Sequence, residues 1–161
     1  YRGLKGVETS ELEPLMAAFV DREISDLVFP AMREIVADHQ AAGRRCVIIT
    51  TGMEGLIGRA ARHIAPGIEV IGCHLLDRKG KLTGKVVGPL FGVDKANIIG
   101  AYCRAIGVDP KRCWAYSDHM SDKHMLEAVG NGVAVNPNGA FRKLAKRNRW
   151  EILDLPAPTA D

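Results

Sequence analysis

Two short segments of the sequence combine residue types that can bind phosphate. Thr51 and Gly52 follow the apolar run 46–49, and the residues after them show helical periodicity. A hydroxyl group beside the free N–H groups of a helix N-terminus can bind an anion such as phosphate, which the helix dipole also favours. The competing interpretation is that Thr51 only caps the following helix.

Asp118 and Asp122 are the second candidate group, four residues apart after a short predicted strand at 114–116. Carboxylate oxygens are hard ligands, and Mg²⁺ typically takes one or two of them while it keeps several waters. The alternative is that one aspartate caps the next helix and the other is solvated, because the helix dipole favours an acid in the first turn. The pair alone leaves both interpretations open.

Lys95 and two histidines complete the set of residues that could take part in chemistry. Lys95 stands at the start of a predicted helix that precedes the Asp118 strand, and a lysine there is ordinarily solvated. His119 and His124 invite a metal-binding interpretation. Their five-residue spacing does not place them on one helical face, which argues against a transition-metal site.

The elements that must position these side chains alternate between apolar runs of strand length and segments of helical periodicity. Strands are predicted at 46–49, 68–71, 74–76, 82–87, 114–116, 133–135 and 151–153. Helices are predicted at 9–20 with Thr9 or Ser10 as cap, at 30–42 ended by Gly43, after Gly52, and at 93–106, 122–129 and 139–147. This order predicts a doubly wound, mostly parallel α/β sheet with a β-hairpin at 77–80. Ligands of such sheets bind at the carboxyl ends of the strands, where the clusters at 50–52 and 117–118 and Asn136 fall.

Composition excludes several classes of function. The chain has 161 residues, of which 47% are hydrophobic and 25% charged, which is typical of a globular domain rather than a disordered one. A net charge of +3 is too small and scattered to predict a nucleic-acid partner. No run approaches the length of a membrane span, and no signal peptide is evident. The four cysteines show no paired spacing, which favours reduced thiols in a cytoplasmic protein.

Several segments together resemble the haloacid dehalogenase (HAD) superfamily, in particular its phosphoserine-phosphatase-like branch, subfamily IB. Residues 47–51 resemble the second family motif, an apolar strand that ends in Ser or Thr. Residues 92–95 resemble the third motif, a lysine at a helix start, and residues 115–122 resemble the fourth, usually Gly-Asp-Ser-x-x-Asp. Residues 133–137 and 150–152 resemble that branch as well. The motifs occur in the family order over nearly the whole chain.

The resemblance implies a role for each candidate residue. Thr51, with Gly52, would bind the transferring phosphoryl group, and Lys95 would neutralise its charge. Asp118 would be a ligand of Mg²⁺, and Asp122 would support the metal or orient Lys95. The implied function is Mg²⁺-dependent hydrolysis of a small phosphomonoester through an aspartyl-phosphate, catalysed by a positioned electrostatic site.

The sequence departs from the family pattern in one mild and one severe way. His119 replaces the usual Ser after the metal aspartate. The first motif, Asp-x-Asp-x-Thr, is absent, and no Asp of the chain has another Asp two residues away. In the family the first Asp of that motif is the nucleophile and the second is the general acid/base.

The missing motif leads to an expectation about the whole chain. We expect that an N-terminal segment with the first central strand is missing, and that this chain alone is inactive. Residues 1–22 would then be the end of a helical cap, 23–155 the HAD-like core and 156–161 a loose tail. Strands left without a neighbour expose unpaired edges, so homo-oligomers are possible.

Two alternatives remain at this stage. A non-catalytic HAD-like module that binds a phosphorylated ligand or a protein partner would explain the missing nucleophile and His119. A receiver-type or nucleotide-binding α/β domain is less well supported, because the chain has no Gly-rich phosphate loop. The sequence does not identify the substrate, since specificity in the family lies largely in the cap.

Overall fold

Strands and helices alternate in the computed structural model of the chain, which describes residues 1–24, 27–88 and 92–156. These residues fall into two compact units, one up to residue 88 and one from residue 92. The tail predicted at 156–161 lies outside the described residues from 157 onward. No helix in the described ranges is long and apolar enough to cross a bilayer.

The described residues of the first unit form three α-helices, a 3-10 turn at Arg2–Leu4 and a three-stranded sheet. The helices are α1 (Thr9–Glu23), α2 (Pro30–Ala41) and α3 (Glu54–Arg62), and the strands are β1 (Val47–Met53), β2 (Glu69–Arg78) and β3 (Lys81–Val87). The sheet order is β1-β2-β3, with β1 parallel and β3 antiparallel to β2. Lys79 and Gly80 connect β2 to β3 with φ values of 55° and 77°. A two-residue hairpin turn whose twist matches that of its strands requires positive φ at both residues.

Helix α1 contacts the rest of the first unit at its start and along its middle. At its start, Glu8 forms an isolated antiparallel bridge with Lys81. Further along, Glu13 forms an ion pair with Arg59 of α3, and Met16 lies against Gly55 of the same helix. The boundary predicted at residue 22 between cap and core stays a prediction.

The part of the second unit that the structure describes forms three α-helices and three strands, with 3-10 turns at Pro110–Arg112 and Met120–Asp122. The helices are α4 (Gly92–Ile106), α5 (Lys123–Glu127) and α6 (Gly139–Asn148), and the strands are β4 (Trp114–Ser117), β5 (Asn131–Val135) and β6 (Glu151–Leu153). All pairings are parallel, in the order β4-β5-β6. The central strand β5 is the most buried, and with Leu126 and Phe141 it forms the core of this unit.

The predicted fold class is confirmed: the chain is mixed α/β, and three of the four strand pairings in the described residues are parallel. The strands form two three-stranded sheets in which β1 and β4 are outer strands. The central strand that the sequence analysis expects to be missing stays a prediction.

Some element boundaries differ from the predicted ones for reasons of tertiary contact. The strand predicted at 68–71 and the hairpin arm at 74–76 form the single strand β2. Glu8, not Thr9 or Ser10, occupies the N-cap position of α1. Thr9 instead bonds the Gly80 carbonyl oxygen of the hairpin, 2.8 Å from its backbone nitrogen and 3.2 Å from its hydroxyl.

Strand β1 extends further than the apolar run 46–49 predicted. It continues to Met53, because pairing with β2 resumes where Met53 lies opposite Cys73. Thr50, Thr51 and Gly52 therefore belong to an irregular part of the strand rather than to a turn. The predicted helix at 122–129 is shorter than expected, because Met120–Asp122 forms a 3-10 turn before α5.

Candidate functional site

A nearly buried ion pair joins α4 to the segment that follows β4. The Lys95 Nζ atom lies 2.8 Å from Oδ1 and 2.9 Å from Oδ2 of Asp122. The two side chains are only 12% and 13% exposed. Lys95 is in the first turn of α4, where the helix dipole disfavours a cation, so the carboxylate of Asp122 is what stabilises its charge there.

Ser117, the last residue of β4, connects this pair to the following loop. Its side-chain hydroxyl donates to Asp122 Oδ2 at 3.0 Å and accepts the backbone N–H of His119 at 3.2 Å. The residue is 8% exposed. Both carboxylate oxygens of Asp122 therefore accept hydrogen bonds from within the unit. The alternative that Asp122 only caps the next helix is not supported: Asp122 occupies the N-cap position of α5, but its side chain makes no cap hydrogen bond.

His119, the residue that departs from the family pattern, organises the loop between Asp118 and the 3-10 turn. Its Nδ1 atom accepts the backbone N–H of Ser121 at 3.1 Å and lies 2.8 Å from the hydroxyl oxygen of the same serine. An N–H donated to Nδ1 requires that this nitrogen be unprotonated, which leaves the ring proton on Nε2. His119 thus acts as the cap of the turn at 120–122.

Asp118 differs from Asp122 in its surroundings. It directly follows β4 and is exposed. The structure records no hydrogen bond or ion pair for its carboxylate within the described residues. An exposed carboxylate at the carboxyl end of a parallel strand is chemically free to bind a cation or a ligand.

The donor set of this unit fits Mg²⁺ only in part. Asp118 offers a hard oxygen ligand, while both oxygens of Asp122 are already engaged by Lys95 and Ser117. Within the ranges described, no group of three or more His, Cys, Asp and Glu side chains could enclose a metal ion. Mg²⁺ commonly uses one or two protein carboxylates and fills its remaining positions with water and substrate oxygens. One free carboxylate is compatible with that mode of binding.

Thr51 and Gly52 belong to the first unit and are described with it. Thr51 is exposed in the irregular part of β1, and its carbonyl oxygen accepts the Tyr1 hydroxyl at 3.1 Å. Burial raises the pKa of that Tyr1 phenol. The backbone N–H of Gly52 donates to Thr50 Oγ1 at 3.0 Å. Thr51 does not cap α3, whose N-cap position is occupied by Met53.

The structure thus brings Lys95 and Asp122 into direct contact, and it gives a specific place to Ser117, which the sequence analysis named only within the polar cluster at 117–118. Ser117 is central to the cluster because it is buried and bonded to Asp122 and to the His119 backbone. The signal in the sequence was its position directly after a predicted strand and directly before an aspartate. The predicted roles of Thr51, Gly52 and Asp118 remain untested by contacts.

Comparisons with known proteins found a matching family and several similar sequences. The sequence model of a family described as haloacid dehalogenase-like hydrolase matches residues 1–127. A probable phosphatase of Mycobacterium tuberculosis is 28% identical over 155 residues, which are 96% of this chain and 54% of that protein. A phosphoserine phosphatase of the same organism is 34% identical over 154 residues, covering 94% of this chain and 49% of that protein.

Solved structures share the fold. A protein of unknown function from Bordetella pertussis superposes with a TM-score of 0.82 at 26% identity, covering 92% of this chain and 68% of that one. A phosphoserine phosphatase with an analogue of a phospho-aspartyl intermediate superposes with a TM-score of 0.69 at 17% identity, covering 96% and 68%. The chain spans about half the length of the curated relatives that it matches.

Proposed function

The chain belongs to the haloacid dehalogenase-like hydrolase family, and on that premise we propose that it is part of a phosphomonoester hydrolase of the phosphoserine-phosphatase kind. The observation that carries the proposal is the Lys95–Asp122–Ser117 cluster at the carboxyl end of β4. The carboxylate of Asp122 holds the positive charge of the nearly buried Lys95 in place before a substrate binds. Phosphoryl transfer needs such a charge, since its transition state spreads negative charge over the phosphoryl oxygens.

In this proposal Lys95 contacts the phosphoryl group and Asp122 is a positioning residue. Asp122 holds the ammonium group with both carboxylate oxygens, and Ser117 in turn fixes one of those oxygens. This arrangement favours the role of Asp122 in orienting Lys95 over a role as a direct metal ligand. A preformed orientation avoids the reorganisation that a flexible, solvated lysine would need during the reaction.

Asp118 is the residue we propose as the protein ligand of Mg²⁺. The ion would supply charge neutralisation at the phosphate and would orient the substrate when bound. The proposal rests on the exposed carboxylate of Asp118 at a strand end and on its lack of a recorded partner in the described residues. The carboxylate lone pairs that Lys95 and Ser117 leave unused would let Asp122 support the ion.

Thr51 and Gly52 are proposed to bind the phosphoryl oxygens through a hydroxyl and a backbone N–H. Thr51 is exposed, and its side chain has no recorded hydrogen bond among the described residues, so it is available to a ligand. The N–H of Gly52 is bonded to Thr50 Oγ1, so ligand binding through this group would require that bond to be exchanged.

The nucleophile of the proposed reaction is an aspartate that residues 1–161 do not supply as an Asp-x-Asp motif. In the proposed mechanism a carboxylate oxygen bonds to phosphorus while the bond to the leaving alcohol oxygen breaks. Water then cleaves the aspartyl-phosphate and releases inorganic phosphate. We therefore propose turnover for a protein in which this chain is combined with such a motif, and none for the 161-residue chain alone.

The test is a phosphate-release assay of the 161-residue chain and of the protein encoded with its upstream sequence. Phosphoserine and other small phosphomonoesters are offered with Mg²⁺ and with a chelator. Lys95→Ala in the longer protein should lower kcat by about a hundredfold or more, whereas Lys123→Ala, at an exposed lysine of the same unit, should leave it unchanged. Equal activity of both variants would refute the role of Lys95.

A second candidate, a non-catalytic module that binds a phosphorylated ligand, is favoured by the missing Asp-x-Asp motif. It predicts Mg²⁺-dependent binding of a phosphomonoester without phosphate release, even when the upstream sequence is present. Phosphate release that the chelator abolishes would remove this candidate. A small phosphorylated ligand, whose identity the sequence does not give, and a cytoplasmic location stay predictions in either case.

A further inference from the structure

Two cysteines of the second unit lie in contact at a position that the proposed phosphatase chemistry does not use. Cys103 belongs to α4, and Cys113 directly precedes β4. Their Sγ atoms are 3.8 Å apart. Cys103 is 5% exposed, whereas Cys113 is only part-buried. None of the four cysteines, all of which are described, forms a disulfide bond in the structure.

The contact results from a tight reversal of the chain after α4. Gly107 has a φ of 68°, in the left-handed region that suits glycine. The backbone N–H of Val108 then donates to the Cys103 carbonyl oxygen at 2.9 Å, which ends the helix. Asp109 Oδ1 accepts the backbone N–H of Lys111 at 2.9 Å and starts a short 3-10 turn. The chain therefore returns directly onto the helix that it has just left.

Cys113 is held at the end of this reversal by several backbone contacts. Its carbonyl oxygen accepts two hydrogen bonds from Asn131, at 3.1 Å from the backbone and at 3.2 Å from Nδ2. Its own N–H donates to the Pro110 carbonyl oxygen at 3.0 Å, and its thiol lies 3.6 Å from the Asp109 carbonyl oxygen. The two sulfur atoms are thus kept close by the fold and not by a flexible loop.

We propose that Cys103 and Cys113 are a redox modification site, at which a peroxide-class oxidant converts the two thiols into a reversible disulfide. The oxidant would reach Cys113 first, because it is the more exposed of the two. Bond formation then needs the sulfur atoms to approach from contact distance to about 2.05 Å. Such a pair between two packed elements would act as a removable crosslink.

The proposed reaction balances with one molecule of hydrogen peroxide. The Cys113 thiolate attacks a peroxide oxygen, the O–O bond breaks, and a sulfenic acid forms as hydroxide leaves and takes a proton to become water. The Cys103 sulfur then attacks the sulfenic sulfur, so that the S–S bond forms, the S–O bond breaks and a second water leaves. Two thiols are oxidised, and one peroxide is reduced to two waters.

The surroundings of the pair set the pH dependence of this reaction. Burial, and then the contact with Cys103, raises the pKa of the Cys113 thiol to about 11. The thiolate is the reacting form, and this raised pKa makes it scarce at neutral pH. As long as the pH stays below that pKa, the rate should increase about tenfold for each unit by which the pH is raised. The site is therefore expected to react slowly at neutral pH and much faster in alkaline solution.

The test is the covalent state of the whole chain after exposure to hydrogen peroxide. The reduced protein is oxidised, quenched, alkylated under denaturing conditions and measured by intact mass and peptide mapping. Relative to the reduced and alkylated control, the expected result is a protein with two fewer alkyl groups, a crosslinked peptide pair that contains Cys103 and Cys113, and reversal by dithiothreitol. Oxygen addition to separate thiols without the crosslink would overturn the proposal.

Single cysteine-to-alanine variants test which two cysteines form the crosslink. Cys113→Ala should lose it, and Cys46→Ala, which changes a cysteine of the first unit, should retain it. If Cys113→Ala does not fold, Cys103→Ala gives the same test, because a disulfide needs both sulfur atoms. The same crosslinked mass in a variant that lacks one cysteine of the pair would contradict the assignment.

A second measurement tests whether the disulfide forms in the folded chain. Closing the short loop between residues 103 and 113 restricts the unfolded chain, so oxidised protein should melt several degrees above reduced protein. The Tm difference should vanish in Cys113→Ala. An unchanged or lower Tm of the oxidised wild-type chain would mean that the native geometry does not accept the bond. None of these readouts depends on phosphatase activity.

Discussion

At the scale of single residues, the contact between Lys95 and Asp122 matters for stability because both charges are nearly buried. Both charged groups are about 12–13% exposed and lie 27 residues apart in the sequence. Two charges removed from water are tolerable only when each compensates the other and the remaining lone pairs are hydrogen-bonded. Ser117 supplies part of that compensation.

Replacing Asp122 with Asn should therefore destabilise the chain. The variant leaves the Lys95 charge nearly buried without a counter-charge, which costs about 3 kcal/mol of unfolding free energy. The measurement is urea-induced unfolding of the wild type and the variant. Combining Asp122→Leu with Lys95→Met removes both charges and should recover most of the loss.

The result that would contradict this account is a loss below about 1 kcal/mol for Asp122→Asn, the range of exposed ion pairs. Lys123→Ala serves as the control, since that lysine is exposed and has no recorded partner among the described residues. Its effect on unfolding should stay within about 0.5 kcal/mol.

At the scale of elements, the backbone of Gly130, directly before β5, lies so close to the backbone of Lys111 that no side chain fits between them. A Cβ atom added to Gly130 would lie 1.8 Å from the Lys111 carbonyl oxygen, and the Gly130 N–H donates to the Pro110 carbonyl oxygen at 3.1 Å. The glycine thus lets the turn before β4 approach the start of β5. This is the same turn that brings Cys113 back to α4.

Gly130→Ala should destabilise the chain by about 2 kcal/mol or more, because backbone atoms have to shift to accommodate the methyl group. Gly139→Ala is the matched control: it lies at the start of α6 with no atom near its added Cβ. There alanine should be neutral or stabilising by about 0.5 kcal/mol, through the smaller entropy of the unfolded chain. Thermal and urea unfolding of both variants would distinguish them, and equal stabilities would disprove the packing argument.

An ion pair between Arg142 and Asp154 connects α6 to the residue directly after β6. The Arg142 Nη1 atom donates to Asp154 Oδ2 at 3.0 Å, and the Arg142 Nη2 atom donates to Asp154 Oδ1. This hydrogen bond and the positive charge of Arg142 lower the pKa of the Asp154 carboxyl group. A lowered folded-state pKa means that the stabilisation is present above the unfolded-state pKa and is lost as pH falls through the folded-state pKa.

We therefore expect Asp154→Asn to be less stable than the wild type at about pH 7, with the difference shrinking at about pH 3, below the ordinary pKa of aspartate. The measurement is the denaturation midpoint of both proteins across that pH range. Both groups are at the surface, so the difference should also decrease at high salt. A difference that stays constant down to acid pH would show that Asp154 acts through packing and not through its charge.

At the scale of the whole molecule, β1 and β4 each form an outer edge of a three-stranded sheet. Within the described residues, β1 pairs only with β2, and β4 pairs only with β5. An outer strand edge of this kind can bind another strand through its backbone N–H and C=O groups. This property belongs to the 161-residue chain and does not depend on its chemistry.

The expected consequence is self-association of the chain that increases with protein concentration. Sedimentation velocity or light scattering from dilute to concentrated solution should show a rising average mass. A strand that pairs with the outer edge of β1 or β4 should reduce this self-association. If the upstream sequence contributes such a strand, the longer protein should associate less than the 161-residue chain. A single monomer mass at every concentration would argue that the edges are protected in solution.

The sequence alone determined the class of the fold, the order of its elements and most of the candidate residues. Apolar runs such as 133–135 and helical periodicities such as 93–106 are local patterns, so they predicted β5 and α4 to within two residues. Lys95, Asp118 and Asp122 were identified in the same way, because each stands beside a predictable element. The missing Asp-x-Asp motif could also be read directly from the chain.

Only the tertiary structure decided which of these residues meet. Asp122 bonds Lys95 rather than its own helix, β1 continues to Met53 because β2 lies beside it, and Cys103 contacts Cys113 because Gly107 reverses the chain. Each of these outcomes depends on contacts between separate elements, whose energies exceed local preferences such as capping. Spacing along the chain does not contain that information, since it fixes neither the direction of a turn nor the partner of a buried charge.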